Sequence, residues 1–561
     1  HRSREIGDSL SNNELRWRGR VREGEALRGL GRLDEAQRVF EDAIGLVRSL
    51  TPDAASSAET RTQLDETASA WAGLAFTLAQ RGDAVGALAA EEQRRAHIRQ
   101  LFLAPFERDI VVGSTTADQE AERATMRDLI GARAKLRAER ASRHPDAARM
   151  DDLRRQVTAL SKARVDQQTA LYARVPDLAL WRGLQPAPQA ADLNGLIPPG
   201  MLVVEFLVSE EQVLLLSAVH GDTAPDVAAT IVPIKKPDLT TAIGQALDTQ
   251  SLDDAAVWRK RSASLADVLV KPIASRLAGR DRVILLPDDV LWKIPFEALA
   301  NGEADLATRA TVTYATSLTT LAAQRRNAEP PPVSTSSPPA ASTTSPQVVR
   351  PAFAAVAGPA IAPLLQAQLA VSTPGWTPPD PASSIGSSQR LAALYGEGSK
   401  VVVGGDSTKP AVRALLASAD VLDLAAPLQM NGVNPLFTVV LLAPDTSSDD
   451  SGRWEVREWF AEHARARVLS VPDGTTSGGA RAGAALDAMA WASAAAGVST
   501  IAIGRWPSNG YAIDAVLSSF HEALAKSTRP ADALRRAISS AKANKDDESP
   551  GAWAGLRLIG W

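Results

Sequence analysis

The chain has 561 residues, more than one hydrophobic core accommodates, so roughly two to four domains are expected. Its composition, 45% apolar and 22% charged, is that of an ordinary globular protein, and a net charge of -4 offers no basic surface for nucleic acid. No cysteine occurs, which excludes disulfides, thiolate metal sites, iron–sulfur clusters and a cysteine nucleophile within this sequence.

Six histidines are present, at 1, 97, 144, 220, 463 and 521. None is paired at metal-ligand spacing, so no structural zinc site is expected. No apolar run is long enough to span a membrane. The first residue is His1 rather than methionine, which a removed signal peptide would explain. Export to a periplasm and a cytoplasmic location are both compatible with a cysteine-free chain.

Residues 1 to about 180 are rich in Ala, Leu, Arg and Glu and poor in β-branched runs, which predicts helices. Two stretches, GEALRGLGRLDEAQRVFEDA and AFTLAQRGDAVGALAAEEQ, look like copies of one unit. Leu27, Gly31 and Ala36 of the first align with Leu78, Gly82 and Ala87 of the second. Small residues there would let paired helices approach, with Phe40 filling the hollow between them. The pattern resembles the tetratricopeptide repeat, at Gly24, Ala36, Phe40 and Ala43 in one copy and Trp71, Ala75 and Ala87 in the other. The spacing exceeds the usual repeat, so the loop around Thr51–Ser57 is expected to be extended. Residues 118–170 carry dense mixed charge with Met126, Leu129, Ile130 and Leu136 recurring at helical spacing. They predict a long helical hairpin turning at His144-Pro145-Asp146, its charges forming a solvated face.

After about residue 200 the pattern changes. Short apolar runs such as MLVVEFLV, QVLLLSAV, RVILLP, KVVVG, DVLDLA, FTVVLLAP, RVLSV and STIAIG alternate with helical stretches. Continuously apolar strands between helices predict a three-layer α/β architecture, with the sheet covered on both faces. Residues 327–349 are Pro-, Ser- and Thr-rich without periodicity and read as a disordered insertion.

From about Pro198 to Trp561 this α/β region resembles the CHAT domain, a caspase-like peptidase fold. The most specific match is RVILLPDDVLWKIPFEAL, in which Pro287, Asp288, Pro295, Phe296, Glu297, Ala298 and Leu299 fit the family's Pro-Asp turn and Pro-Phe-Glu-Ala-Leu helix start. Tyr314, Ser317 and Leu318 fit its Tyr-x-x-Ser-Leu. Further matches follow in order at 434–444, 454–459, 491–507, 529–537 and 553–560. CHAT domains commonly follow tetratricopeptide repeats, which suits the helices ahead of this one. The resemblance implies a multidomain chain, α-helical and repeat-like at its N-terminus and caspase-like α/β beyond. Its expected divisions are a tetratricopeptide-like region at 1–110, a helical hairpin at 111–190, the first half of a CHAT domain at 198–326, the insertion at 327–349 and a second, caspase-like half at 350–561.

A caspase-like site needs a thiolate and an imidazole base at the ends of neighbouring parallel strands. In the segment LDLAAPL, Asp423 replaces the family's first His and Pro427 falls where the catalytic His would stand. In VLSVPDG, Pro472 holds the nucleophile position. Proline has neither an ionisable group nor a backbone N–H, so no catalytic residue is expected at either place. His463 lies seven residues before Ser470, at the wrong end of the strand to act as a base. Ser470 as a substitute nucleophile and Asp423 with Asp473 as a carboxylate pair are alternatives; two solvated strand-end charges are the plainer reading of the two aspartates. The run GGARAG at 478–483 lacks the Lys of a phosphate loop. Nothing calls for a cofactor or metal. Trp506 and Trp553 match family core positions, while Trp454 and Trp459 are candidates for a protein-binding surface. The function implied is a non-catalytic, pseudopeptidase scaffold whose partners are other protein subunits. The alternatives are a regulator or decoy of an active CHAT peptidase and a hydrolase using non-cysteine groups.

Overall fold

The computed structural model describes residues 13–49, 66–302, 304–328, 350–372, 380–448, 450–472, 482–505, 513–543 and 549–561. The loop expected at Thr51–Ser57, most of the Pro/Ser-rich insertion, Asp473, Trp506 and residues 478–481 lie outside the described residues. The chain divides into two compact units, residues 1–101 with 187–561, and residues 102–186.

The first unit opens with four helices, α1 (Asn13–Gly29), α2 (Leu33–Ser49), α3 (Ser69–Gln80) and α4 (Ala84–Leu103). The turns between paired helices carry the two glycines aligned in the sequence, Gly31 and Gly82, both at positive φ, where an L side chain is strained. Phe40 is fully buried and lies against the backbones of α1 and α3. A Cβ added at Gly24 would stand 2.8 Å from its ring, and one at Gly73 only 2.2 Å. Gly73 is thus a second small residue demanded by the same ring, one that the aligned repeat positions do not include.

These helices do not form a core of their own. Trp17, Phe40, Trp71 and Leu88 belong to one continuous apolar cluster with Val203, Leu214, Ile284 and Leu321 of the α/β region. That region is built on an eleven-stranded mixed sheet. In chain order its strands are β1 (Leu202–Val208), β2 (Val213–Val219), β3 (Asp226–Val232), β4 (Arg282–Leu286), β5 (Thr311–Tyr314), β6 (Phe353–Ala357), β7 (Lys400–Val403), β8 (Val421–Ala425), β9 (Val468–Val471), β10 (Thr500–Gly504) and β11 (Leu556–Gly560). Their spatial order is β3-β2-β1-β4-β5-β11-β10-β9-β8-β6-β7. β1, β4, β5 and β11 run parallel, as do β10, β9, β8, β6 and β7, and the two sets meet at the antiparallel β10–β11 pair. β4, β8 and β9 are buried almost throughout, as continuously apolar strands between helical layers require.

Several expectations need correction. FTVVLLAP supplies only the short strand Val439–Leu441, which joins Leu428–Gln429 and Arg453–Glu455 in a separate three-stranded sheet. The Pro-Phe-Glu-Ala-Leu segment forms one 3₁₀ turn, Phe296–Ala298, rather than opening a helix. Asn327 and Ala328 complete the helix Leu318–Ala328 instead of beginning the insertion, and Asn327 bonds the carbonyls of Ala494 and Val498.

The second unit contains the antiparallel helices α5 (Thr116–Arg140) and α6 (Ala147–Arg174). Thr115 and Asp118 form a capping box at the start of α5, and the Asp146 carboxylate caps α6 by accepting from the N–H groups of Ala148 and Arg149. Leu129, Leu153 and Leu171 are buried, whereas Ile130 is half exposed. Arg182, almost wholly buried, donates to both carboxylate oxygens of Glu122 at 2.8 and 2.9 Å and to the Ile110 carbonyl.

Because the Phe40 ring has no free space around it, Gly73→Ala is expected to destabilise the first unit by about 1–3 kcal/mol, the usual cost of overpacking. Gly45→Ala, which meets nothing within 4 Å, serves as the control. Urea unfolding of both variants checks this, and equal midpoints for the two would refute it.

Candidate functional site

The strand ends where a caspase-like site would sit are those of β8 and β9. β8 ends at Ala425, and the chain continues through Ala426 to a buried Pro427. The Pro427 carbonyl accepts from the N–H of Leu441 at 2.9 Å, tying the turn to the three-stranded sheet. β9 ends at Val471, and Pro472 follows, half-buried. Its carbonyl stands so close to Gly504 on β10 that a Cβ there would meet the oxygen at 1.9 Å. Neither position carries a nucleophile or a base. A small pocket of about 190 Å³ beside Pro427 is lined by Gly358, Gln366, Asp380 and Ser384, and no histidine faces it.

Asp423 lies within β8 rather than at its end, and it is 1% exposed. This overturns the reading of Asp423 as a solvated charge. Its Oδ2 accepts from Ser388 Oγ at 3.1 Å, while Oδ1 has no hydrogen-bond partner. Ser470, fully buried, is its register partner on β9, and its hydroxyl neighbours the Asp423 carboxyl without meeting full hydrogen-bond geometry. Burial raises the Asp423 carboxyl to about 6, against the smaller opposing effects of the Ser470 and Ser388 hydroxyls. Among the described residues the fully buried imidazole is that of His521, on the helix Asp514–Ala525. Its Nδ1 pairs with the Tyr395 hydroxyl at 3.0 Å, and its Nε2 has no partner. Burial pushes His521 down to about 3. A serine nucleophile needs a positioned base and access to substrate; Ser470 and the neighbouring Asp423 are both buried, and no imidazole among the described residues hydrogen-bonds either. His463 is exposed and precedes the start of β9, the end opposite Pro472. Asp473 lies outside the described residues.

Trp454 and Trp459 are 1% and 2% exposed, with ring centroids 4.9 Å apart. Trp454 sits on the edge strand of the three-stranded sheet, and Trp459 on a 3₁₀ turn packed against the helix Ala482–Ala496. They are core residues, not an exposed protein-binding surface. Trp553 is also buried, as its family match suggests.

The most heavily engineered polar cluster was not legible as such in the sequence. Arg95 of α4 enters the carboxyl ends of β1 and β4 and donates to the carbonyls of Phe206, Leu286, Pro287 and Thr316 at 2.9–3.3 Å. Its Nε lies 2.5 Å from Glu205. Arg94 bridges Glu91 and Asp288, and Asp288 also accepts from the N–H of Val208. Arg99 grips Asp487 at 3.0 and 3.1 Å, donates to Ser317 and lies over the Trp491 ring. Glu92 accepts from the N–H of Leu318. Burial raises Glu205 and Glu92, whereas at Asp288 the arginines and the Val208 N–H overcome burial and hold it below the ordinary carboxylate range. A second cluster joins Glu297, Tyr314 and Arg505, and the neighbouring Arg557 is lowered to about 9 chiefly by burial.

The motif residues Pro287, Asp288, Glu297, Tyr314, Ser317 and Leu318 therefore hold the fold together through buried charge and hydrogen bonds. A two-part α/β sheet with helices on its faces and these buried landmarks defines a caspase-like architecture. The CHAT domain family model matches residues 259–561, and the chain belongs to that family. No curated protein matches the sequence.

Asp423 gives a pH test with a definite sign. Its folded value of about 6 exceeds its ordinary 3.8, so the charged form is disfavoured in the fold and stability falls as pH rises between those values. His521 works in the opposite sense, costing stability as pH falls below 6.5, so the Asp423 effect is isolated by comparison with a variant. Asp423→Asn is expected to gain on the order of 2–3 kcal/mol at pH 7 relative to pH 4. Chemical unfolding at both pH values checks it, and a variant equally stable relative to the parent at pH 4 and pH 7 would contradict it.

Proposed function

We propose that this chain is a non-catalytic member of the CHAT family that acts by binding other proteins, as a scaffold or as a subunit of a larger assembly. The observation that carries this reading is the pairing of a cysteine-free sequence with prolines at both strand ends where the base and nucleophile would stand. The burial of Ser470 and Asp423 supports it, because neither side chain is exposed where a substrate could reach it. Membrane spanning is not part of the proposal: among the described residues no helix is long and apolar enough to cross a bilayer.

The binding surface is assigned to the helices rather than to the tryptophans. α5 and α6 expose Ile130 and Val165 amid charged side chains and belong to a compact unit of their own. Excising the hairpin would strip Glu122 and Tyr172 from buried Arg182, so the exposed Ile130 and Val165 are the targets of the test. Deleting residues 1–110 is a poor test, since it also removes Arg94, Arg95 and Arg99 from the core.

Two measurements test the proposal. A peptide library incubated with the purified chain at high concentration is expected to show no turnover; cleavage that persists after repurification and is abolished by Ser470→Ala would end the non-catalytic reading. Affinity capture from the native source is expected to recover a stoichiometric protein partner. Replacing the exposed Ile130 and Val165 together by Ser should weaken that capture by at least about tenfold, the loss of about 1.4 kcal/mol of contacts. Capture of nothing stoichiometric, or capture unaltered by the double substitution, would contradict it.

A further inference from the structure

A cavity of about 340 Å³ in the first unit shares no lining residue with the pocket beside Pro427. Its size falls within the range of small-molecule sites. Ile284 of β4, Val421 of β8, Val468 of β9, Leu524 and Trp561 give it apolar walls. Its charged side chains are Arg282, Arg467, Arg529 and Asp420, beside serine and threonine hydroxyls.

The charges do not balance. Arg282 and Arg529 share a single carboxylate, that of Asp532, at 2.6 and 3.1 Å. Asp420, the acidic residue of the lining, is engaged by Arg465 at 3.0 Å and by the N–H of Ala352 at 2.8 Å. Arg467 donates to the Gly497 carbonyl at 2.8 Å and forms no ion pair among the described residues. The lining thus holds three guanidiniums and one side-chain carboxylate, next to an apolar wall. A guanidinium with donors to spare favours a carboxylate or phosphate oxygen, and the wall favours a hydrocarbon or aryl body.

We propose that this cavity binds a small amphipathic carboxylate, with its head on Arg467 and its apolar body against Ile284, Val421, Val468 and Leu524. The inference is independent of the non-catalytic reading and survives if that reading fails. Aliphatic and aromatic carboxylates share this chemistry, and octanoate and 1-naphthoate are the probes that separate them.

Titration calorimetry on the full chain is expected to show one site for at least one of the two probes. The neutral alcohol octanol should bind at least about tenfold more weakly than octanoate, the minimum loss for a charge-assisted hydrogen bond. Arg467→Met should weaken binding by a similar factor. Ala531→Trp, which places a large ring at the half-buried lining residue that opens Pro530–Ala543, should abolish it. Unfolding midpoints equal to that of the parent show that both variants are folded; should either fail to fold, Arg529→Met at the exposed rim replaces it. No binding by either probe overturns the proposal. So does binding that both variants leave unchanged, or octanol binding as tightly as octanoate.

Discussion

The buried guanidinium of Arg95 is the contact on which the remainder of the first unit depends. It satisfies carbonyls at the ends of β1 and β4 and after β5, and it stands 2.5 Å from a carboxyl inside β1. A charge taken out of water is tolerated only when it is paired and its donors are bonded. Here the pairing is made between a helix near the N-terminus and a sheet that begins a hundred residues later. The apolar cluster spanning α1–α4 and β1–β4 adds the non-directional part of the same union. The helices are consequently part of the α/β body, and their inner surface is occupied by sheet rather than open to a partner.

This arrangement changes what the family's landmarks mean. Pro287, Asp288, Ser317 and Leu318 are where α4 is received, and Glu297 and Tyr314 are partners of Arg505. None of them depends on catalytic chemistry. The strand ends of β8 and β9 are shaped by different demands. Pro427 feeds the three-stranded sheet, and the Pro472 carbonyl presses on Gly504. The stability of this sheet frame comes from the buried charge and apolar contacts named above, not from the residues at these two strand ends.

Much of this was legible in the sequence. Continuously apolar runs marked β1, β2, β4, β8, β9 and β10, and His144-Pro145-Asp146 marked the hairpin turn. Other elements were hidden for physical reasons. β6 reads Phe-Ala-Ala-Val-Ala, and alanine is a weak strand former whose placement here is decided by neighbours on both sides. β3 is a half-buried edge strand. Trp454 and Trp459 carry no periodicity that separates a core pair from a surface belt. The role of the run EEQRRAHIRQ is hidden because its partners, carbonyls and carboxylates alike, lie far along the chain. One signal was available: Glu205 in the middle of MLVVEFLV. A single carboxyl in a strand buried on both faces requires a cation from elsewhere. Asp423 in DVLDLA carries the same signal, and its answer is a serine hydroxyl rather than a cation, which leaves its carboxyl raised.

The most direct test of the union between helices and sheet is the stability of Arg95→Met, measured by urea unfolding together with amide hydrogen exchange in β1 and β4. Met keeps the length and the apolar contacts of the side chain but leaves four carbonyls and Glu205 without their cation. The expected result is a loss of about 3–5 kcal/mol, the cost of breaking a buried pair, with protection falling together in α4, β1 and β4. A loss under about 1 kcal/mol, of the size of a solvent-exposed ion pair, with protection falling in α4 alone, would show that the helices are an appendage rather than part of the α/β body.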